Sequence, residues 1–174
     1  MDIGNFLASL FAIKNHEVST MDTLEHLAGY TQWANRVWLD HIAKHHSGDE
    51  YLTKMLAHIA QGERAWFQRL RGEKLDRNVW HPLTLPLVRE QLEENTQLYR
   101  EILQKDRNRR IEYARSNGTS GAARVEDILL YMCLRADHHR AQMAVHLQRL
   151  NQTVPHTDYI EYSRSYGPVE IPRE

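Results

Sequence analysis

The chain carries a single cysteine, Cys133, in 174 residues. An intramolecular disulfide is therefore excluded, and this usage fits a reducing, cytoplasmic setting. Long apolar runs are missing: nothing approaches the roughly 20 residues that a membrane-spanning helix needs. The formal net charge is -1, so no global field attracts nucleic acid or an anionic membrane. The local excess of base between Lys105 and Arg115 has no recognition motif and no aromatic stacking platform, and it reads as a solvated loop. A Gly-x-Ser-x-Gly elbow and a phosphate-binding loop are absent. Internal repeats and low-complexity segments are absent too. Cys133 stands between Met132 and Leu134, the setting of a packed thiol rather than a nucleophile. The short run from Phe6 to Ile13 has no basic segment before it and does not read as a secretory signal. Met21 opens what looks like a domain start. Residues 1–20 then read as an N-terminal extension, a short helix against the surface or a partner.

What is present is ordinary for a soluble globular domain: 41% hydrophobic and 26% charged residues. Four segments carry helical periodicity. From Asp22 to His45, the residues Leu24, Leu27/Ala28, Thr31, Ala34, Trp38, Ile42 and His45 fall in steps of three and four. From Glu50 to Arg71, the stripe is Leu52, Met55, Ile59, Glu63, Trp66 and Leu70, with Gly72 as the stop. The linker from Glu73 to Pro86 holds two prolines and predicts irregular structure. A third helix is predicted over Leu87–Lys105, with Val88, Leu92, Asn95, Leu98/Tyr99 and Ile102 inward. Turn residues from Asn117 to Gly121 beside Ile111-Glu112-Tyr113 predict a small hairpin. The fourth helix is predicted over Val125–Leu150, ended by Asn151 and Pro155, with a tail beyond it.

Four long amphipathic helices argue for an all-α, four-helix bundle over residues 21–164, with 165–174 as a C-terminal tail. The linker between helices two and three is long enough to cross the bundle, so simple up-down order is not required.

The chemistry lies in the histidines. There are eleven, so no single one is diagnostic. His58 sits between Met55 and Ile59 on the second helix. Ile128, Met132, Arg135, His139, Gln142 and His146 share one sector of the fourth. Imidazoles presented inward from a helix pair can build a metal site. They can equally be half-buried histidines hydrogen-bonded to neighbours. His41, His45 and His46 close the first helix, where a cation favours the last carbonyls. Glu63 is either a hydrogen-bond partner of a histidine or a boundary residue paired with an arginine.

The stretch Tyr30-Thr31-Gln32-Trp33-Ala34-Asn35, then Leu56-Ala57-His58-Ile59 with Glu63, Trp66 and Leu70-Arg71-Gly72, then His139-Arg140-Ala141-Gln142, then Pro155-His156-Thr157-Asp158-Tyr159-Ile160 resembles the DinB/YfiT-like family of four-helix bundles. The resemblance spans about Thr23 to Arg164. It implies a divalent metal, zinc or nickel, with His58 and His139 as two of three ligands. The third ligand position of the family, four residues before the last histidine, holds Arg135 here, and Ala141 stands in place of a glycine. Family members of known activity are metal-dependent thiol S-transferases or related isomerases. In these a metal with open positions lowers the pKa of a thiol.

The residues and the resemblance together support three functional expectations. The first is a metal-dependent enzyme of the thiol S-transferase type with an incomplete triad, His58 and His139 plus water, substrate or His138. The second is a metal-free bundle that binds a small anionic ligand at Arg135, His58 and His139, since a guanidinium pairs with carboxylate or phosphate. The third is a structural dimer. A homodimer is expected both from the resemblance and from Tyr30, Trp33 and Trp38, more aromatic surface than one core stripe of helix one needs. A small molecule is the expected ligand, with no nucleic acid and no membrane.

Overall fold

The structure, a computed structural model, describes residues 22–73, 78–105, 107–114 and 118–166. The expected extension over residues 1–20 lies outside the described residues, as does the C-terminal tail after Tyr166. Four long helices form the body: α1 Thr23–His45, α2 Glu50–Arg71, α3 Leu85–Leu103 and α4 Val125–Arg149. Strands β1 Arg110–Ala114 and β2 Ser120–Arg124 precede α4, and a short helix, α5 Tyr159–Tyr166, ends the described chain. None of the described helices is long and apolar enough to cross a membrane.

The helix ends obey local chemistry. Asp22 and Asp49 cap α1 and α2, their carboxylates accepting from the amides of Leu24 at 2.9 Å and Leu52 at 3.0 Å. Gly72 ends α2 at φ 71°, a left-handed conformation that costs glycine nothing. Asn151, at φ 53°, does the same after α4. α3 starts at Leu85 rather than Leu87, because Pro86 fits the first turn, where its missing N–H is not needed. The predicted hairpin is present: β1 and β2 pair antiparallel with Ile111 opposite Ala123 and Tyr113 opposite Gly121. Ile111 and Tyr113 share one face.

The core has two apolar halves. One holds Trp38, Ile42, Leu52, Leu56, Val88 and Leu147. The other holds Ala28, Phe67, Tyr99, Ile102, Leu129 and Met132. Each fully buried large side chain contributes on the order of 1.5–3 kcal/mol. The starts of α2 and α3 both lie in the first half, and the starts of α1 and α4 both reach the second. The order is therefore up-down-down-up, with the linker after Gly72 returning the chain to the end of the bundle where α2 began. Between the halves lies a buried polar layer: Asn35, Glu63, Asn95 and Arg140. Every helix of the body contributes one of these four.

Two expectations about α1 change. His45 is exposed, not part of the stripe. Tyr30 and Trp38 are buried, at 6% and 1% exposure. The segment after α4 covers them: the Tyr30 hydroxyl donates to the Thr157 carbonyl at 2.7 Å, and Trp38 Nε1 donates to Thr157 Oγ1 at 3.3 Å. Tyr159 and Tyr162 of α5 pack on Tyr30, and Tyr162 also packs on Trp33. The aromatic excess of α1 is thus used within one chain, where a plain tail was expected.

Candidate functional site

Periodicity puts His58 and His139 on the inward sectors of α2 and α4, and the fold brings them together. Their rings meet edge to face, with centroids 4.7 Å apart. Both line a groove of about 740 Å³ between α2, α4 and the hairpin. Trp80, from the linker, stacks on His58 at 3.6 Å with 6° between planes. That contact had no signal in the sequence, because the linker has no periodicity to place a side chain.

Each ring is held through Nδ1. His58 Nδ1 lies 2.9 Å from the Val79 carbonyl oxygen, an acceptor only, so Nδ1 carries the proton. His139 Nδ1 lies 2.9 Å from Gln142 Oε1, and its Nε2 lies 3.0 Å from Arg135 Nη2. Since a guanidinium can only donate, Nε2 of His139 must be the acceptor. The His139 ring is therefore neutral with its lone pair on Nε2, and the neutral form of His58 carries its lone pair on the same atom. Burial is the main reason their pKa values lie below the ordinary histidine range, and the Arg135 charge pushes the same way.

A histidine that ligates a metal through Nε2 needs this tautomer, with Nδ1–H tied to an oxygen and Nε2 open. The two histidines fit that description, but the third position does not. Arg135 cannot coordinate, and its N–H occupies the lone pair of His139. Among the described residues, no group of three His, Cys, Asp or Glu side chains is placed to hold a metal. His138, the nearest candidate replacement, lines a separate depression with Tyr51 and His146. His146 itself bonds Asp49 Oδ2 at 2.8 Å. The family's three-ligand centre is thus not fitted by the residues present.

Arg135 is exposed at the groove rather than buried, and no carboxylate among the described residues pairs with it. Arg140, which in the sequence serves only to fix the register of the helix against the family pattern, is buried. It donates to Asn35 Oδ1 at 2.7 Å and to Asp137 Oδ1 at 3.2 Å. Its place beside Ala136, Met143 and Leu147 at steps of three and four was the available signal. Glu63 also lines the groove. Among the described residues it bonds neither a histidine nor an arginine directly. It accepts from Asn35 Nδ2 at 3.2 Å and Asn95 Nδ2 at 3.0 Å. Burial pushes its pKa up to about 7, against the pull of those amides and of Arg140. Cys133 is buried as expected, and burial raises its thiol to about 11, so it stays protonated and inert.

These features define a helical bundle whose site is built from side chains of facing helices, with an imidazole pair and a cation at one end of a groove. The sequence pattern of the DinB family matches residues 19–174, nearly the whole chain, and the protein belongs to that family. A comparison with curated proteins finds no match.

Proposed function

We propose that the groove binds a small anion, a carboxylate or phosphate, through Arg135, without a resident metal. The observation that carries this reading is the 3.0 Å contact from Arg135 Nη2 to His139 Nε2. A cation thus sits on the atom a metal would need, on a residue that lines the groove. A guanidinium has five N–H donors, and this bond uses one. An anion arriving there gains charge-assisted, bidentate bonds. It also favours protonation of His58 or His139, so binding takes up a proton.

A second reading keeps the metal. The tied Nδ1 atoms leave both Nε2 lone pairs oriented as ligands, and a divalent zinc or nickel ion would be held by His58 and His139 once Arg135 swings out. Family resemblance would then imply thiol S-transfer. Two protein ligands beside a cation make a weak site, which favours the first reading.

Titration calorimetry with inorganic phosphate and with benzoate tests the choice. The natural protein should bind both saturably, and benzoate more tightly as pH falls below the ordinary histidine value, because the bound anion raises imidazole pKa values that burial and Arg135 hold low in the free protein. Arg135→Gln should weaken binding about tenfold or more, since a charged hydrogen bond contributes about 1.5–3 kcal/mol. Stoichiometric zinc or nickel in protein purified without an affinity tag, together with anion affinity indifferent to Arg135, overturns the proposal.

A further inference from the structure

The groove has a second end. Trp66 of α2, Tyr113 of β1 and Tyr131 of α4 line it. Their rings stand nearly perpendicular: Trp66 to Tyr113 at 5.0 Å and 74°, Trp66 to Tyr131 at 5.6 Å and 71°. Three elements thus converge on one indole, and the hairpin contributes Tyr113 and Ala123 to the groove. Between the aromatic end and the histidines the lining is mostly apolar, with Ile59, Ile128, Met132 and Ala136, and Glu63 is its one acid among the described residues.

The spacing of the two ends is set by helix geometry. Tyr131 and Arg135 are one turn apart on the same face of α4. His58 and Trp66 are separated by about 12 Å along α2 at 1.5 Å rise per residue. A ligand that reaches both ends is longer than one ring. We propose that the ligand class of this groove is the aryl carboxylate, its anionic group on Arg135 and its fused or extended aromatic body among Trp66, Tyr113 and Tyr131. The inference rests on Arg135 as the anion site and adds the occupant of the rest of the cavity.

Aromatic rings can also cage a cation, and charge decides between the two. The Arg69 guanidinium already lies over the Trp66 ring, 4.6 Å from its centroid. The acid at this end, Asp127, is taken by Arg124, with two bonds of 3.0 Å. A cationic ligand would meet a resident cation, and the acids that line the groove, Asp127 and Glu63, are already bonded to Arg124 and to Asn35 and Asn95. A neutral π-face meets ring edges and an apolar wall, which is the favoured edge-to-face arrangement.

The test compares 2-naphthoate, benzoate, inorganic phosphate and neutral 2-naphthol by calorimetry on the full chain. Naphthoate should bind about tenfold more tightly than benzoate, from the apolar area of the second ring. Tyr131→Ala, a change at an exposed side chain, and Trp66→Leu should each bring naphthoate down to the affinity of benzoate. Arg135→Gln should weaken both carboxylates while leaving the ratio between them. Equal affinities for naphthoate and benzoate in the natural protein overturn the aromatic subsite, and so does a ratio that survives both aromatic substitutions. If 2-naphthol binds in a Trp66-dependent way while no anion depends on Arg135, the subsite stands and the anion reading fails.

Discussion

Arg135 holds the Nε2 atom of His139, and one substitution tests what that contact excludes. Positions 135 and 139 are i and i+4, so two imidazoles there would share a helical face about one turn apart. Arg135→His removes the N–H that holds His139 Nε2 and the charge that repels a divalent ion, and it supplies a third ligand with residues 58 and 139. Zinc or nickel affinity should rise about tenfold or more over the natural protein, and the metal should raise the melting temperature of the variant by mass action. Calorimetry and thermal melts with and without metal read both effects. No gain in affinity would mean that position 135 is outside the ligand slot. At this scale the sequence was partly legible. Periodicity put His58 and His139 on the inward sectors of their helices, and the resemblance to the family pattern put Arg135 in register with them. Arg140 could not be placed in the core by residue type, since a lone arginine is normally exposed. Its burial depends on Asn35 and Asp137, which lie on another helix and one turn away.

Elements were easier to read than the contacts between them. The four helices and the hairpin are legible in periodicity and turn chemistry. The parallel course of α2 and α3 depends on a linker whose composition fixes no direction, and the cover over α1 depends on an eight-residue helix too short to stand out. That cover can be tested at Gly29. A Cβ there would meet the Tyr162 hydroxyl. Alanine is favoured over glycine inside a helix by about 0.5–1 kcal/mol. The clash is with the far end of one side chain, on a helix with no buried residues, so α5 should yield and the bundle should not. Gly29→Ala should leave the melting temperature unchanged or slightly raised while trypsin cleaves faster after Arg164. A lower melting temperature with unchanged cleavage would show that α5 is held more firmly than its burial implies.

Across the whole molecule, the polar layer makes stability depend on pH. Every helix of the body meets there, and Glu63 is its acid, joined to Arg140 through Asn35. In the folded state Glu63 has a pKa of about 7, against an ordinary 4.5. Between those values the folded chain keeps a proton that the unfolded chain releases. Stability therefore falls as pH rises through this window, by on the order of 3 kcal/mol from Glu63 alone. Other groups tilt the curve the other way. Asp22 and Asp49 have lowered pKa values, so their contribution is present above the unfolded carboxylate value and is lost as pH falls through the folded one. His58 and His139 are also lowered, and their contribution is lost as pH falls from the ordinary imidazole value toward the folded ones. The informative quantity is thus the difference between the natural protein and Glu63→Gln, in which those shared terms largely cancel. Glutamine keeps the shape but puts an NH2 donor where the carboxyl group, protonated or not, has a second oxygen that can accept, so one asparagine amide loses its partner. The variant should be the less stable protein near pH 4.5, and its deficit should shrink as pH rises to 7, because only the natural chain carries the growing cost of a buried charge. Urea unfolding at a series of pH values measures this difference directly. A deficit constant across the window would mean that Arg140 and the two asparagines hold Glu63 ionised throughout, and that the layer is a paired charge network rather than a titrating one.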